Sequence, residues 1–169
     1  MGSTFEQVAE LVERLRGIIP VAACIDTCHL HVAGHDIVSE SGMENTLQHL
    51  NGIIGFSNVP VWHCNDAKAT FASKLDRHQH IGQGTIGLEP FRRLLNDPRL
   101  AHAAFIAETP IDNPGDDLRN VETLKSLVRE ENSVEQKQTA RNGKKKTVAK
   151  AAAPEAKAKR RSPAESHAR

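Results

Sequence analysis

Apolar residues recur along roughly the first 130 positions with spacings that alternate between those of helices and of strands. Short runs of small, β-branched and aromatic residues predict three buried strands, at 21–26, 59–65 and 103–109. Helical spacing of apolar residues predicts four helices, at 5–15, 46–54, 88–96 and 116–129. The first helix has a predicted capping box, with Ser3 as the N-cap and Glu6 three residues later.

The order of these elements indicates the fold class. Helices and strands alternate along the chain, which is typical of βαβ units and a parallel sheet, so we predict an α/β fold. Three parallel strands leave two unpaired edges, which folded proteins normally cover or close. The apolar periodicity ends near Glu131. The sequence therefore predicts an incomplete α/β domain at 1–130 and a segment without a core at 131–169.

The charge of the chain is divided between these two parts. The formal net charge of +1 combines net −6 over residues 1–141 with net +7 over residues 142–169. A polar tail rich in Lys, Ala and Pro is typical of disorder. Its basic clusters predict nuclear localisation or a non-specific DNA tether, unless the tail is solvated and without function. The residues of these clusters are Lys144, Lys145, Lys146, Lys157, Lys159, Arg160 and Arg161.

Composition argues against secreted and membrane-spanning proteins. No apolar run approaches the length of a membrane span, and the N-terminus lacks the regions of a signal peptide. Cys24, Cys28 and Cys64 cannot all pair with one another and show no CxxC spacing. A disulfide framework is therefore disfavoured, and a reducing compartment fits better.

Each predicted strand leads into a side chain that can bind a metal ion, namely Asp26, His63 or Glu108. The carboxyl ends of parallel strands form one face, and strand alternation can point these three side chains into one space. Asp76 and His78, in the loop after the second strand, can hold one ion. A strand-end Asp is often a helix cap, and a lone His is usually a core residue. Three such strand ends in succession nevertheless favour a shared metal site, because each buried carboxylate needs a partner.

The ligand types indicate the chemistry of such a metal. Mixed His and carboxylate ligation suits hydrolytic zinc or manganese better than a structural zinc finger. Two metals about 4 Å apart are usual for phosphoester hydrolysis. The remaining candidates have less favoured or no ligand roles: Cys28 in a turn at 26–29, Cys24 packed inward, Cys64 facing the helices, and His31, His35, His80 and His102 in loops.

Four motifs, taken in order, resemble those of the endonuclease IV family. They are residues 24–29 (CIDTCH) with 33–36 (AGHD), residues 65–68 (NDAK), residues 76–84 (DRHQHIGQG) and residues 108–110 (ETP). The chain departs from the family pattern where His35 replaces Tyr, Cys64 replaces Leu and Lys74 replaces Arg. The resemblance extends over residues 3–129.

The resemblance implies a fold and an activity. The family fold is a (β/α)8 TIM barrel with three zinc ions, so residues 1–130 would form a partial barrel of its last three strands and their helices. The implied enzyme is a DNA-repair endonuclease that cuts double-stranded DNA on the 5′ side of abasic sites in base excision repair. Asp26 and Glu108 are expected to take part in catalysis, and Lys74 and Arg77 to contact phosphates. The implied zinc ligands are Asp26, His63 and Glu108 for one ion and His29, Asp76 and His78 for another.

The resemblance also predicts what this chain lacks. In the family, two histidines from earlier strands hold the first zinc, together with a bridging glutamate that precedes the segment matching residues 2–5. We therefore expect ligands for about two of the three zincs, and weak cleavage by this chain alone, whether it is a truncated product or an isoform. The basic tail places the expected location in the nucleus, with the mitochondrion as an additional location.

Two other functions remain open. Sugar isomerases with related barrels also place two divalent metals among Asp, Glu and His ligands, although residues 76–84 match the endonucleases. A fragment without catalysis, which binds DNA only through the charge of its tail, is the other alternative. Its binding would be sensitive to salt and would not select abasic DNA.

Overall fold

The computed structural model describes residues 4–129, which lie in the first of two compact units, Met1–Asn132. The helices in the described part are α1 (Phe5–Leu15), α2 (Thr27–Ala33), α3 (Glu40–Ile53), α4 (Leu88–Leu95) and α5 (Asp116–Leu127). The strands are β1 (Cys24–Asp26), β2 (Val61–His63), β3 (Asp66–Ala67), β4 (His78–Gln79) and β5 (Ala104–Ile106). The predicted α/β class is confirmed. Within residues 4–129, no helix has the length and apolar content needed to cross a membrane.

The main sheet has three parallel strands in the order β1-β2-β5. In its register Asp26 lies opposite His63, so the polar last residues of these strands meet at one end of the sheet. Each strand has three residues, half of the predicted length or less. Beyond the paired residues the strands are joined by single backbone hydrogen bonds, such as the one from the Cys64 N–H to the Ile106 carbonyl at 2.7 Å.

The two faces of this sheet have different surroundings. Ile25 and Trp62 are buried against the helices, and Phe105 shares their side because it pairs with Trp62. On the opposite face Cys24 is exposed and Ile106 is 45% exposed. Cys24 thus lies on the face opposite the helices, as predicted, but the prediction that it packs there is wrong, because this face is open to solvent in the described part of the chain.

The core lies between the sheet and its helices. Burial of a Leu or Phe side chain stabilises a fold by about 1.5–3 kcal/mol relative to exposure. The buried side chains that the helices contribute include Leu47 and Leu50 of α3, Phe91 and Leu94 of α4, and Leu124 and Leu127 of α5. The predicted apolar face of α5 is only half buried, since Leu118 and Val121 are exposed.

Helix α2 replaces the turn predicted at 26–29. The Asp26 side chain caps it by accepting hydrogen bonds from the N–H groups of Cys28 at 2.8 Å and His29 at 3.2 Å. Gly34 ends it in the left-handed conformation, with φ of 101°. Seven residues are too few for apolar spacing to reveal a helix. Because His31 lies on this helix and is buried, its prediction as a loop residue is wrong.

Side-chain caps also set the ends of two predicted helices. Thr4, rather than the predicted Ser3, caps α1 by accepting a hydrogen bond from the Gln7 N–H at 3.3 Å. Helix α3 begins six residues earlier than predicted, because Ser39 Oγ accepts a hydrogen bond from the Gly42 N–H at 3.0 Å. The predicted disordered tail at 131–169, with its basic clusters, lies outside the described residues.

Candidate metal centre

At the carboxyl end of the main sheet, three strand ends bring together one set of predicted ligands. Asp26 and His63 are paired residues of β1 and β2, and Glu108 follows β5 by two residues. His63 Nδ1 lies 2.9 Å from Glu108 Oε2 and 3.7 Å from Asp26 Oδ2. One ligand atom of each residue lies within 4.8 Å of the other two, a spacing that one metal ion can bridge.

The second predicted set comes from α2 and from the small sheet that β3 and β4 form. Strand β4 pairs antiparallel with β3 and carries His78. His29 Nε2 lies 3.0 Å from Asp76 Oδ2, and His78 Nε2 lies 3.4 Å from Asp76 Oδ1. The two histidine rings are 5.8 Å apart between centroids. The structure thus brings the three residues of this set together around the Asp76 carboxylate.

Asp26 joins the two sets. Its Oδ2 lies 3.8 Å from His78 Nε2, and Asp26, His29 and His78 form a group with ligand atoms within 4.8 Å of one another. Asp76 and His78 form a further such group with Cys28. The six predicted ligands are therefore one continuous cluster, which we call the ligand cluster. Two-metal hydrolytic sites, with ions about 4 Å apart, need this continuity.

The His78 ring has one nitrogen with a hydrogen-bond partner and one without. Its Nδ1 lies 2.9 Å from the Glu108 carbonyl oxygen, and because a carbonyl only accepts, Nδ1 carries the proton. Its Nε2 is buried and makes no hydrogen bond, although carboxylate oxygens of Asp76 and Asp26 lie 3.4 Å and 3.8 Å away. Metal-binding histidines commonly donate their other N–H in this way. The residues present thus fit a metal ion, and their His and carboxylate donors suit hydrolytic zinc or manganese.

Two side chains outside the predicted ligand set support it. Asn65, fully buried, donates from Nδ2 to Asp26 Oδ2 at 2.7 Å and accepts at Oδ1 from the Glu108 N–H at 2.8 Å. Thr27 Oγ1 donates to the Asn65 carbonyl oxygen at 2.7 Å and accepts from the Asn65 N–H at 2.8 Å. Sequence reasoning gave neither residue a role. The sequence feature that could have indicated them is their position inside the motifs at 24–29 and 65–68.

Asp66, which is not one of the predicted ligands, has a carboxylate enclosed by the backbone of a loop. Asp66 is fully buried and accepts five backbone hydrogen bonds of 2.8–3.2 Å. The donors are Ala67, Gly82, Gly84, Ile86 and Gly87. A Cβ atom on Gly84 would collide with the Ala67 carbonyl and with the Asp66 carboxylate. Glycine at this position therefore allows the loop to close around Asp66.

Lys74 and Arg77, the predicted DNA contacts, are exposed on either side of Leu75 and Asp76. Lys74 has a left-handed backbone with φ of 61°, and so has Ala72 with φ of 58°. This conformation costs non-glycine residues about 1 kcal/mol or more. Backbone hydrogen bonds to α2 offset the cost, with Lys74 N–H donating to the Val32 carbonyl at 2.9 Å. The two basic side chains thus extend from a loop with a fixed backbone beside the ligand cluster.

Burial controls the chemistry of Cys28, which lies beneath the cluster. Its Sγ is 4.0 Å from Asp76 Oδ1 and 3.7 Å from the Arg77 carbonyl oxygen. Burial raises the pKa of Cys28 to about 11, so the side chain is a thiol at neutral pH. Metals bind the thiolate rather than the thiol, so Cys28 would have to lose its proton to join Asp76 and His78 as a ligand.

Residues 1–131 match the model of the xylose isomerase-like TIM barrel family. The chain is 44% identical over 129 residues to a probable endonuclease 4 of Solibacter usitatus, which covers 75% of this chain and 44% of that protein. It is 41% identical over 129 residues to a probable endonuclease 4 of Chloroflexus aurantiacus, covering 76% of this chain and 45% of that protein. The chain thus spans less than half the length of these relatives.

The fold gives the same result. The structure is similar to that of endonuclease IV from Thermus thermophilus, with a TM-score of 0.63 and 36% identity over 75% of this chain and 44% of that one. The predicted partial barrel agrees with this match. The chain therefore belongs to the xylose isomerase-like TIM barrel family, and its resemblance to endonuclease IV, a family of nucleases, is confirmed.

Proposed function

We propose that this chain supplies a zinc-binding part of the active site of a DNA-repair endonuclease. The proposed reaction is hydrolysis of double-stranded DNA on the 5′ side of abasic sites, in base excision repair. The ligand cluster carries the proposal, because six His and carboxylate side chains converge there and His78 Nε2 has no hydrogen-bond partner.

The two ligand sets are proposed to hold two zinc ions, one at Asp26, His63 and Glu108 and the other at His29, Asp76 and His78. Bound zinc would supply a water of lowered pKa as nucleophile and would stabilise negative charge on the phosphate oxygens. Asp26 and Glu108, whose carboxylates lie on either side of His63, are the proposed catalytic residues. The Glu108 side chain is 54% exposed and the Asp26 side chain 8%, so Glu108 is the more accessible to substrate.

DNA is proposed to contact the loop that carries Lys74 and Arg77. Both side chains are exposed, and Arg77 directly follows the ligand Asp76. Phosphate contacts of this kind position a duplex without reading its sequence. Each contact makes the slope of log affinity against log salt concentration more negative by roughly 0.9. Replacing either side chain with Ala should therefore make that slope less steep by about one.

The nucleus is the proposed location, because the tail carries two Lys/Arg clusters around positions 145 and 160. A reporter fused to residues 142–169 should accumulate in nuclei. The matched control is the same fusion with the seven clustered Lys and Arg residues changed to Ala. A diffuse signal from the unchanged fusion contradicts the proposal, and a mitochondrial signal beside the nuclear one supports the additional location.

The proposed activity is tested with the full chain, loaded with zinc, on a duplex that contains one abasic site. We expect slow incision on the 5′ side of that site, lost on chelation and in the variant His78→Ala. An undamaged duplex is the matched substrate control. Equal cleavage by the variant, or of the undamaged duplex, contradicts the proposal. Salt-sensitive binding without incision and without abasic selectivity would instead indicate a DNA-associating chain that does not catalyse.

A further inference from the structure

Asn65 connects the two halves of the ligand cluster through one buried amide. The residue is fully buried at the end of β2, between β1 and β5. Its Nδ2 donates to Asp26 Oδ2 at 2.7 Å, and its Oδ1 accepts from the Glu108 N–H at 2.8 Å. The carbonyl of Glu108 in turn accepts from His78 Nδ1 at 2.9 Å. Asn65 therefore contacts two proposed ligand residues directly, Asp26 and Glu108, and reaches a third, His78, through the Glu108 carbonyl.

The chemistry of its neighbours fixes the orientation of this amide. A carboxylate oxygen such as Asp26 Oδ2 only accepts hydrogen bonds, and a backbone N–H such as that of Glu108 only donates. Turning the amide over would place its oxygen against the carboxylate and its NH2 group against the N–H. Thr27 fixes the Asn65 backbone as well, since its hydroxyl bonds both the carbonyl at 2.7 Å and the N–H at 2.8 Å.

The amide also determines which oxygen of Asp26 faces the other ligands. Asp26 Oδ1 is committed to the N-terminus of α2, where it accepts from two backbone N–H groups. Asp26 Oδ2 is left to face His63 Nδ1 at 3.7 Å and His78 Nε2 at 3.8 Å. The hydrogen bond from Asn65 holds Oδ2 at this point between the two histidines. Without it, the carboxylate could rotate about its Oδ1 contacts.

We propose that Asn65 is a positioning residue, which holds Asp26 and the Glu108 backbone in the geometry that binds metal. This inference rests on the metal centre of the proposed function. Groups that orient metal ligands in this way typically contribute 10–100-fold to metal affinity. The role is distinct from packing, because it predicts an effect on metal affinity beyond any effect on the free energy of unfolding.

The test measures zinc affinity of the full chain by competition with a chromophoric chelator, and the visible spectrum of bound Co²⁺. Asn65→Ala should weaken zinc binding by about 10–100-fold and alter the Co²⁺ spectrum. Asn120→Ala is the matched control, since Asn120 is also a buried amide, 3% exposed, that accepts from the Ile81 N–H and donates to the Asp116 carbonyl. We expect the control to lose a similar amount of stability and to keep its zinc affinity.

Asn65→Asp keeps the side-chain volume and the acceptor for the Glu108 N–H, and it replaces the donor to Asp26 with a carboxylate oxygen. We expect this variant to fold and to bind zinc more weakly than the wild type, although it adds a negative charge. Tighter binding in Asn65→Asp, or zinc affinity and Co²⁺ spectra unchanged in both variants, overturns the positioning role. Absence of zinc binding by the wild-type chain overturns the proposed metal centre as well, so the two failures are distinguishable.

Discussion

Two aspartates ten residues apart, Asp66 and Asp76, have opposite environments. Asp66 is fully buried, and backbone N–H groups of five residues donate to its two oxygens. The Asp76 side chain is 58% exposed, and its oxygens face ring nitrogens of His29 and His78. Both belong to motifs shared with the endonuclease IV pattern, yet only Asp76 was predicted as a ligand from the sequence.

The hydrogen-bond partners of a carboxylate determine whether it stabilises the fold or remains able to bind a metal ion. Charge-assisted bonds from the backbone offset the desolvation of Asp66, and those donors cannot leave without unfolding the loop. The partners of Asp76 are imidazoles, which can turn their lone pairs to a cation instead. We therefore expect stability to depend on Asp66 and metal affinity to depend on Asp76.

The largest expected effect comes from Asp66→Asn. Either orientation of the new amide sets its NH2 group against two or three backbone N–H groups. Because each buried donor left unpaired costs about 1–3 kcal/mol, two of them should lower the free energy of unfolding by about 2–6 kcal/mol. Urea unfolding followed by circular dichroism measures this loss. A loss below about 1 kcal/mol would mean that the backbone N–H groups find other acceptors, and that stability does not depend on the Asp66 carboxylate.

Asp76→Asn should have the complementary effect. Its side chain is mostly exposed, so the free energy of unfolding should change by no more than about 0.5 kcal/mol. Zinc affinity should fall by about 100-fold, which corresponds to about 2.7 kcal/mol, because a proposed ligand is lost. Chelator competition measures the affinity, with Asp117→Asn on exposed α5 surface as the control variant. Unchanged zinc affinity would remove Asp76 from the proposed site.

The strand ends show how much of the site could be predicted. Asp26, His63 and Glu108 each follow an apolar run, and parallel strands must bring such ends to one edge, so local pattern sufficed for them. The place of Asp76 and His78 came from motif resemblance, because the two-residue strands β3 and β4 leave no periodic signal. Spacing alone could not place them beside Asp26.

Helix α2 and Asn65 show why the rest could not be predicted. The helix has seven residues and depends on an N-terminal cap from Asp26, which the sequence had favoured as a metal ligand. Asn65 acts through hydrogen bonds to Asp26 and Glu108, which are 39 and 43 positions away along the chain. Local sequence patterns do not reveal contacts over such separations. Sequence pattern therefore located the ligands, while the side chains that orient them required the fold.

Gly84 tests how tightly the loop around Asp66 is closed. In Gly84→Ala, the added Cβ would meet the Ala67 carbonyl and the Asp66 carboxylate, so we expect a loss of about 2 kcal/mol in the free energy of unfolding. Gly52→Ala is the matched control, because a Cβ at Gly52 of α3 meets nothing within 4 Å. The control should be more stable by about 0.5–1 kcal/mol, since Ala favours a helix over Gly. Urea unfolding measures the free energy of unfolding of both variants. Equal changes in the two would show that the loop around Asp66 can open at little cost.

The smallest expected effect concerns Cys64, on the helix-covered face of the sheet, and the way the free energy of unfolding changes with pH. Burial raises the pKa of Cys64 to about 12, whereas an unfolded thiol titrates near 9. The folded state therefore favours the neutral thiol, so its contribution is constant below pH 9 and is lost as pH rises from about 9 towards 12. Cys64→Ala should flatten this part of the curve of unfolding free energy against pH.

In the wild type at pH 8, Cys24, on the solvent-exposed face of the sheet, should react first with a thiol reagent, and mass spectrometry of the labelled chain would identify it. Early labelling of Cys64 in the folded chain would show that the helix-covered side of the sheet is as accessible as the open side.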